Sequence, residues 1–203
     1  MTAKTQRRMS STLASSSKAD LRTAALATRD ALSTEQRTAA AQAMALRGLP
    51  VDVKPGAVIA GYSPIRSEID PAPLMRKLAE QGAQLALPAI TARGQSLKFR
   101  LWHPGERLLS GPLGILEPSP AAAEITPDIV LVPLAAFDGV GHRIGYGAGH
   151  YDRTLAQLRK SRAVIAIGLA FAAQQVEAVP ALQHDVALDY VLTENHMFDF
   201  RSP

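Results

Sequence analysis

Short apolar runs alternate with amphipathic stretches along this chain, and the alternation predicts strands interleaved with helices. Residues 1–17 lack either pattern; they are polar and Ser-rich, end in Ser15-Ser16-Ser17, and read as a disordered N-terminal tail. From Lys18 an apolar stripe of Leu21, Ala25, Leu26 and Leu32 predicts a helix, with Ser17 available as its N-cap. Ser33 and Gln36 are spaced as a capping box for a second helix, which Gly48 and Pro50 bring to a stop. The run from Ala57 to Tyr62 suits a buried strand. Asp70-Pro71 opens a third helix with Leu74, Met75 and Leu78 on one face, and Gly82 halts it.

The pattern then repeats. Leu85–Leu87 predicts a strand ending at Pro88, and Leu97 to Trp102 alternates apolar with basic residues as a half-exposed strand would. Ile129–Val132 predicts a buried strand ending at Pro133, a helix follows from about Tyr151 to Lys160, and Ala163–Leu169 and Tyr190–Thr193 complete the sheet. Strands alternating with helices give an α/β fold: one mostly parallel sheet with helices on both faces, in a single domain over residues 18–203. In such sheets ligands bind beyond the carboxyl ends of the strands, so the loop after Val132 is the first place to look for a site.

Composition narrows the chemistry. The 203 residues are 47% hydrophobic and 20% charged, as expected of an ordinary globular protein. With no Cys there is neither a thiolate nucleophile nor a Cys-ligated metal, so a metal would rely on oxygen ligands or the five His, which favours Mg²⁺ chemistry over structural zinc. The net charge of +4 suits an anionic small ligand. Much of the excess sits early, in Lys4, Arg7, Arg8, Lys18 and Arg22 against Asp20. Aromatics are 5% and interleave with no basic stripe, so nucleic acid is not expected as a partner. No apolar run is long enough to span a bilayer and no apolar segment follows Arg7-Arg8, so no membrane partner is expected and the cytosol is the expected location.

Chemistry gathers in one segment. Five of the 14 glycines lie between 139 and 149. Gly145, Gly147 and Gly149 alternate, which leaves backbone N–H groups free to approach an anion, and the helix after them adds a partial positive charge. Arg143 supplies a full charge and a forked donor set, and Asp152 sits where a carboxylate could hold Mg²⁺ beside phosphates. The loop is neither a Walker A loop nor a Rossmann fingerprint, and a glycine-rich surface loop with no ligand also fits these residues alone.

Arg143-Ile144-Gly145-Tyr146-Gly147-Ala148-Gly149-His150-Tyr151-Asp152, led by Gly141, is similar to the G-x-R-[LI]-G-x-G-x-G-[YH]-Y-D segment of the 5-formyltetrahydrofolate cyclo-ligase family. Val132 to Asp138, Ser67-Glu68-Ile69-Asp70, Leu87-Pro88, Gly114 to Pro118 and His184-Asp185 extend the resemblance from Lys18 to Thr193. The resemblance implies a sheet like that of the NagB/RpiA/CoA-transferase-like fold. It implies ATP binding by Lys18, Arg22 and the segment from Arg143 to Tyr151, and folate binding by Glu68, Ser63 and residues 146–150. Mg²⁺ would be held by Asp152 and Asp185, with Asp189 competing for the second place. His150 stands where the commoner motif has Tyr, and no residue is assigned as a general base or nucleophile. The implied reaction is ATP- and Mg²⁺-dependent cyclisation of 5-formyltetrahydrofolate to 5,10-methenyltetrahydrofolate, releasing ADP and phosphate, by a monomer. A paralogue using the same loop on another acceptor, and a non-catalytic sensor of a phosphorylated metabolite, are the alternatives.

Overall fold

Val, Ile, Leu and Ala crowd into short runs that hydrogen-bond side by side, and the computed structural model of the protein, which describes residues 17–201, assembles them into one main sheet. The helices are α1 (Lys18–Asp30), α2 (Thr34–Arg47), α3 (Ala72–Glu80) and α4 (His150–Leu158). The strands are β1 (Val58–Ala60), β2 (Gln84–Ala89), β3 (Lys98–Leu101), β4 (Leu109–Ser110), β5 (Leu116–Glu117), β6 (Ile129–Pro133), β7 (Ala136–Phe137), β8 (Arg143–Ile144), β9 (Ile165–Leu169), β10 (Tyr190–Leu192) and β11 (Met197–Asp199). Seven of them form the main sheet in the order β11-β10-β9-β6-β1-β2-β3. The pairs among β10, β9, β6, β1 and β2 are parallel, while β3 and β11 are antiparallel edges. This is the mostly parallel α/β sheet that the periodicity predicts, and the finer NagB/RpiA-like likeness is compatible with it.

Alternation along each strand feeds two cores. Ile59, Leu85, Leu131 and Ile167 point to the face covered by Met44 of α2 and by Leu74, Met75 and Leu78 of α3. Their neighbours Ala60, Ala86, Val130, Val132 and Ala166 point the other way, where Leu155 of α4 packs. Each fully buried Leu or Ile contributes about 1.5–3 kcal/mol, so the two faces account for most of the drive to fold. At Gly168 a Cβ would stand 2.7 Å from both a Leu134 and a Leu188 methyl carbon, so Ala there would force this second core apart.

The helix ends follow the predicted chemistry. Ser17 and Asp20 form a capping box on α1, and Ser33 and Gln36 form one on α2. Ser17 thus belongs with α1, while the rest of the predicted tail lies outside the described residues. At α3 the N-cap is Pro71, and Asp70 just before it accepts from the Ala72 amide at 2.9 Å. Several strands are shorter than the sequence reading, the short β4, β5, β7 and β8 add to it, and other differences have a local cause. β2 runs through Pro88 to Ala89, because there it pairs with β3 and no longer with β1. β11 adds an unpredicted edge strand after β10. α4 starts at His150 and ends at Leu158, short of Lys160. Among the described residues no helix is long and apolar enough to cross a membrane.

Candidate active site

β1 leads on to β2 on one side, and β6 leads on to β9 and β10 on the other, so the strand order reverses between β1 and β6. A crevice at the carboxyl ends of such a pair is where α/β sheets receive ligands. A cleft of about 710 Å³ opens there, lined by Tyr62 and Ser63 after β1, Pro88 of β2, Pro133 of β6 and the segment from Arg143 to Arg153.

The glycine segment is presented by the β7–β8 hairpin. Asp138, buried at its tip, accepts from the amides of Val140, His142 and Val179, each at 3.0 Å, and so fixes the turn. After β8 the chain crosses the cleft mouth through Gly147 (φ +93°) and Gly149 (φ +64°) before entering α4. Both lie in the left-handed region, where a side chain would strain the backbone. The loop therefore brings its backbone and the N-terminus of α4 to the cleft, with the Arg22 and Arg153 guanidiniums beside Gly147 and Gly149.

α1 closes one side. Leu21, Ala25 and Leu26 pack on Ala135, Ala136 and Ile144, which aims Lys18 and Arg22 at the cleft. Arg22 Nε donates to the Gly145 carbonyl at 2.7 Å, and Lys18 donates to Asp185. Arg143 is buried and donates through one terminal nitrogen to Asp152 Oδ1 at 2.6 Å and through the other to the Val186 carbonyl. Burial draws the Arg143 pKa down, opposed by attraction to Asp152 and Asp185. For Asp185, burial is the largest influence and raises the carboxyl's pKa, but Lys18 and the Leu182 amide together hold it below its ordinary value. Asp152 also accepts from the Val186 amide at 3.2 Å, which ties the start of α4 to the segment that carries Asp185.

Among the described residues no three His, Cys, Asp or Glu side chains stand together as a metal cage. Two carboxylates in a cleft, completed by phosphate oxygens and water, is the arrangement Mg²⁺ favours, and Asp152 and Asp185 fit it. Asp189 does not line the cleft: it accepts from Arg159 at 2.6 Å and from the Ala166 amide at 2.7 Å, tying α4 to β9.

The opposite end of the cleft is apolar, walled by Ile65, Ile90, Leu97, Ile115 and Tyr62. Glu68 is buried there, accepting from the Ile65 amide at 2.8 Å. Burial pushes its carboxyl above the ordinary range, against the Ile65 amide, the Tyr146 hydroxyl and the charge of Arg29. Burial likewise raises the phenols of Tyr62, Tyr146 and Tyr151, with Glu68 adding to each. Tyr62 donates to the Ile69 carbonyl at 2.8 Å, and Ser63 to the Leu116 carbonyl at 2.8 Å, so both hold the turn that carries Glu68.

Every residue expected to bind ATP, folate or metal lines this one cleft: Lys18, Arg22, Ser63, Glu68, Arg143 to Asp152 and Asp185. His150 is tied by Nδ1 to the Gln95 carbonyl at 2.7 Å, so that nitrogen carries the proton. Sequence reasoning missed Glu117, buried in the cleft wall and accepting from the Ile90 amide at 2.9 Å, and Arg153, which donates to the Ala148 carbonyl. It also missed Arg29, buried behind the cleft. Helical spacing carried a signal for the last: Lys18, Arg22 and Arg29 lie within about 40° of one another around α1.

A glycine cradle, facing cations and paired carboxylates at a switch point define a class of α/β proteins suited to phosphorylated ligands. The family described as 5-formyltetrahydrofolate cyclo-ligase matches residues 14–194. The 5-formyltetrahydrofolate cyclo-ligase of Mycolicibacterium smegmatis is 35% identical over 189 residues, covering 87% of this chain and 93% of the relative. That of Escherichia coli is 30% identical, covering 85% and 97%. The solved 5,10-methenyltetrahydrofolate synthetase of Aquifex aeolicus superimposes with a TM-score of 0.75 at 30% identity, covering 92% of this chain and 94% of that one. The chain belongs to the 5-formyltetrahydrofolate cyclo-ligase family.

Proposed function

We propose that this protein uses ATP to cyclise 5-formyltetrahydrofolate to 5,10-methenyltetrahydrofolate, releasing ADP and phosphate. The observation that carries the reading beyond family membership is that one cleft joins a buried carboxylate, Glu68, to a glycine cradle with cations. The pterin presents adjacent N–H groups, which a carboxylate accepts from as a pair, so Glu68 and the apolar wall hold the folate. The amides of 145–149, with Lys18, Arg22 and Arg143, hold the phosphates.

The formyl oxygen on N5 is a poor leaving group. Its attack on the γ-phosphorus expels ADP and converts it to a phosphate ester. N10 then attacks the activated carbon, the C–O bond breaks, phosphate departs and N10 loses its proton. No side-chain nucleophile is needed; the chain's task is to align two substrates and stabilise moving charge. Mg²⁺ on Asp152 and Asp185 would neutralise charge on the transferring phosphoryl group. Mixing protein, ATP, Mg²⁺ and 5-formyltetrahydrofolate and following methenyltetrahydrofolate absorbance tests the reading. Product that appears only with ATP is expected; its absence with folded protein overturns it.

A further inference from the structure

We propose that Arg29 is a positioning residue that couples the two ends of the cleft, fixing the glycine loop against the turn that carries Glu68. The proposal rests on the folate and ATP reading above. Arg29 is 1% exposed, in the last turn of α1, and does not line the cleft, so it acts through its neighbours. Its Nε donates to Ser67 Oγ at 2.9 Å, and one terminal nitrogen donates to the Tyr146 hydroxyl. The guanidinium also stands 5.7 Å from the Tyr146 ring centroid. Ser67 in turn donates to Asp30, next to Arg29 on the same helix. One side chain thus grips the residue beside Glu68 and the residue at the centre of the glycine loop, from a helix that also carries Lys18 and Arg22.

Packing alone does not account for this residue. The other terminal nitrogen of Arg29 is buried with no hydrogen-bond partner among the described residues. A buried cation with an unmet donor costs stability, and an apolar side chain of similar length would fill the same space at lower cost. The charge does have an object: it draws Glu68 towards its anion. The groups facing Glu68 are the Ile65 amide, the Tyr146, Tyr62 and Tyr151 hydroxyls and Arg29, and Arg29 is the cation among them. The contact set holds Tyr146 in place, and the charge it fixes there works against the upward push of burial on Glu68.

The test is steady-state kinetics on wild type, Arg29→Met, Tyr146→Phe and the double variant, with both KM values and the pH profile of kcat/KM for 5-formyltetrahydrofolate. Arg29→Met is expected to raise the KM for the folate about tenfold to hundredfold, the loss of a charge-assisted contact. It should also move the acid limb to higher pH. The sign follows from Glu68: without the cation, burial is less opposed, the carboxyl takes its proton at a higher pH, and the gripping anion is lost sooner as pH falls. The double variant should be little worse than Arg29→Met, because both substitutions cut one linkage. A purely structural role would lower the melting temperature and leave the limb in place. A folded Arg29→Met with unmoved limb and unchanged folate KM, or additive effects in the double variant, overturns the proposal. Should Arg29→Met not fold, Tyr146→Phe and Ser67→Ala carry the KM test, and unchanged folate KM in both overturns it. A wild type that turns over beside an unaffected variant removes only the role of Arg29; a wild type that makes no methenyl product removes the reaction.

Discussion

At the glycine-loop end of the cleft, Asp152 is paired with Arg143 and Asp185 with Lys18. At the other end, Glu68 is buried among apolar residues with one amide, one phenol and a more distant cation to satisfy it. The first end keeps its charges in opposite pairs. On the proposed reading, a polyphosphate that took the cations would free the carboxylates, and Mg²⁺ would suit them. Metal and nucleotide would then bind that end together. The second end holds a carboxyl short of donors, and on the proposed reading N–H groups on a flat apolar ligand would satisfy it. The contrast separates a site built by exchange of ion pairs from one built by desolvation.

Asp152→Asn attacks the first end and should have the largest effect. Mg²⁺-dependent turnover is expected to fall by at least about a hundredfold, since a metal on a transferring phosphoryl group supplies several kcal/mol. The substitution also leaves buried Arg143 without its carboxylate, at a cost of about 1–3 kcal/mol that thermal melting would detect. Folate affinity should hardly change. Wild-type turnover at limiting Mg²⁺ would show that the ion pair is structural and the metal assignment wrong.

Glu68→Gln attacks the second end. It keeps size and one acceptor but turns a donor towards the N–H groups of the ligand, so folate binding should weaken about tenfold to hundredfold. ATP affinity should stay near wild type. Titrating the two ligands separately decides the matter, and equal losses for both would show that the ends are not independent. In the wild type, burial raises the Glu68 pKa, so folate binding should fade on the acid side at a pH above the ordinary carboxylate range.

Much of this was legible in the residues. Periodicity located the buried strands because Val, Ile and Leu runs answer to local burial, and Ser17 and Ser33 marked helix starts because a cap is a contact over three residues. β11 escaped because its edge strand, Met-Phe-Asp, is half exposed and has no clean alternation. The glycine segment was visible as chemistry, since its spacing is itself the signal. Asp185 against Asp189 was not: only the fold shows that Arg159 and the Ala166 amide hold Asp189 away from the cleft. Arg29 and Glu117 were missed because their partners are distant in sequence, Ser67 and Tyr146 for one, Ile90 for the other.

The smallest effect is expected at His150, which lies in the cleft where the glycine segment enters α4. An imidazole beside a reaction that releases a proton invites a general-base role. Its geometry points elsewhere. Nδ1 donates to the Gln95 carbonyl at 2.7 Å, anchoring the start of α4 to the loop before β3. Asn in its place carries an amide nitrogen at nearly the same distance from the backbone, so His150→Asn keeps the anchor and removes the titrating ring. If the ring only anchors, kcat should stay within about twofold of wild type with an unaltered pH profile, whereas removing a general base costs about a hundredfold to ten-thousandfold. The two outcomes do not overlap. A large fall in kcat with an intact melting temperature would make His150 part of the chemistry and join the two ends through N10; a small one leaves proton release from N10 to solvent.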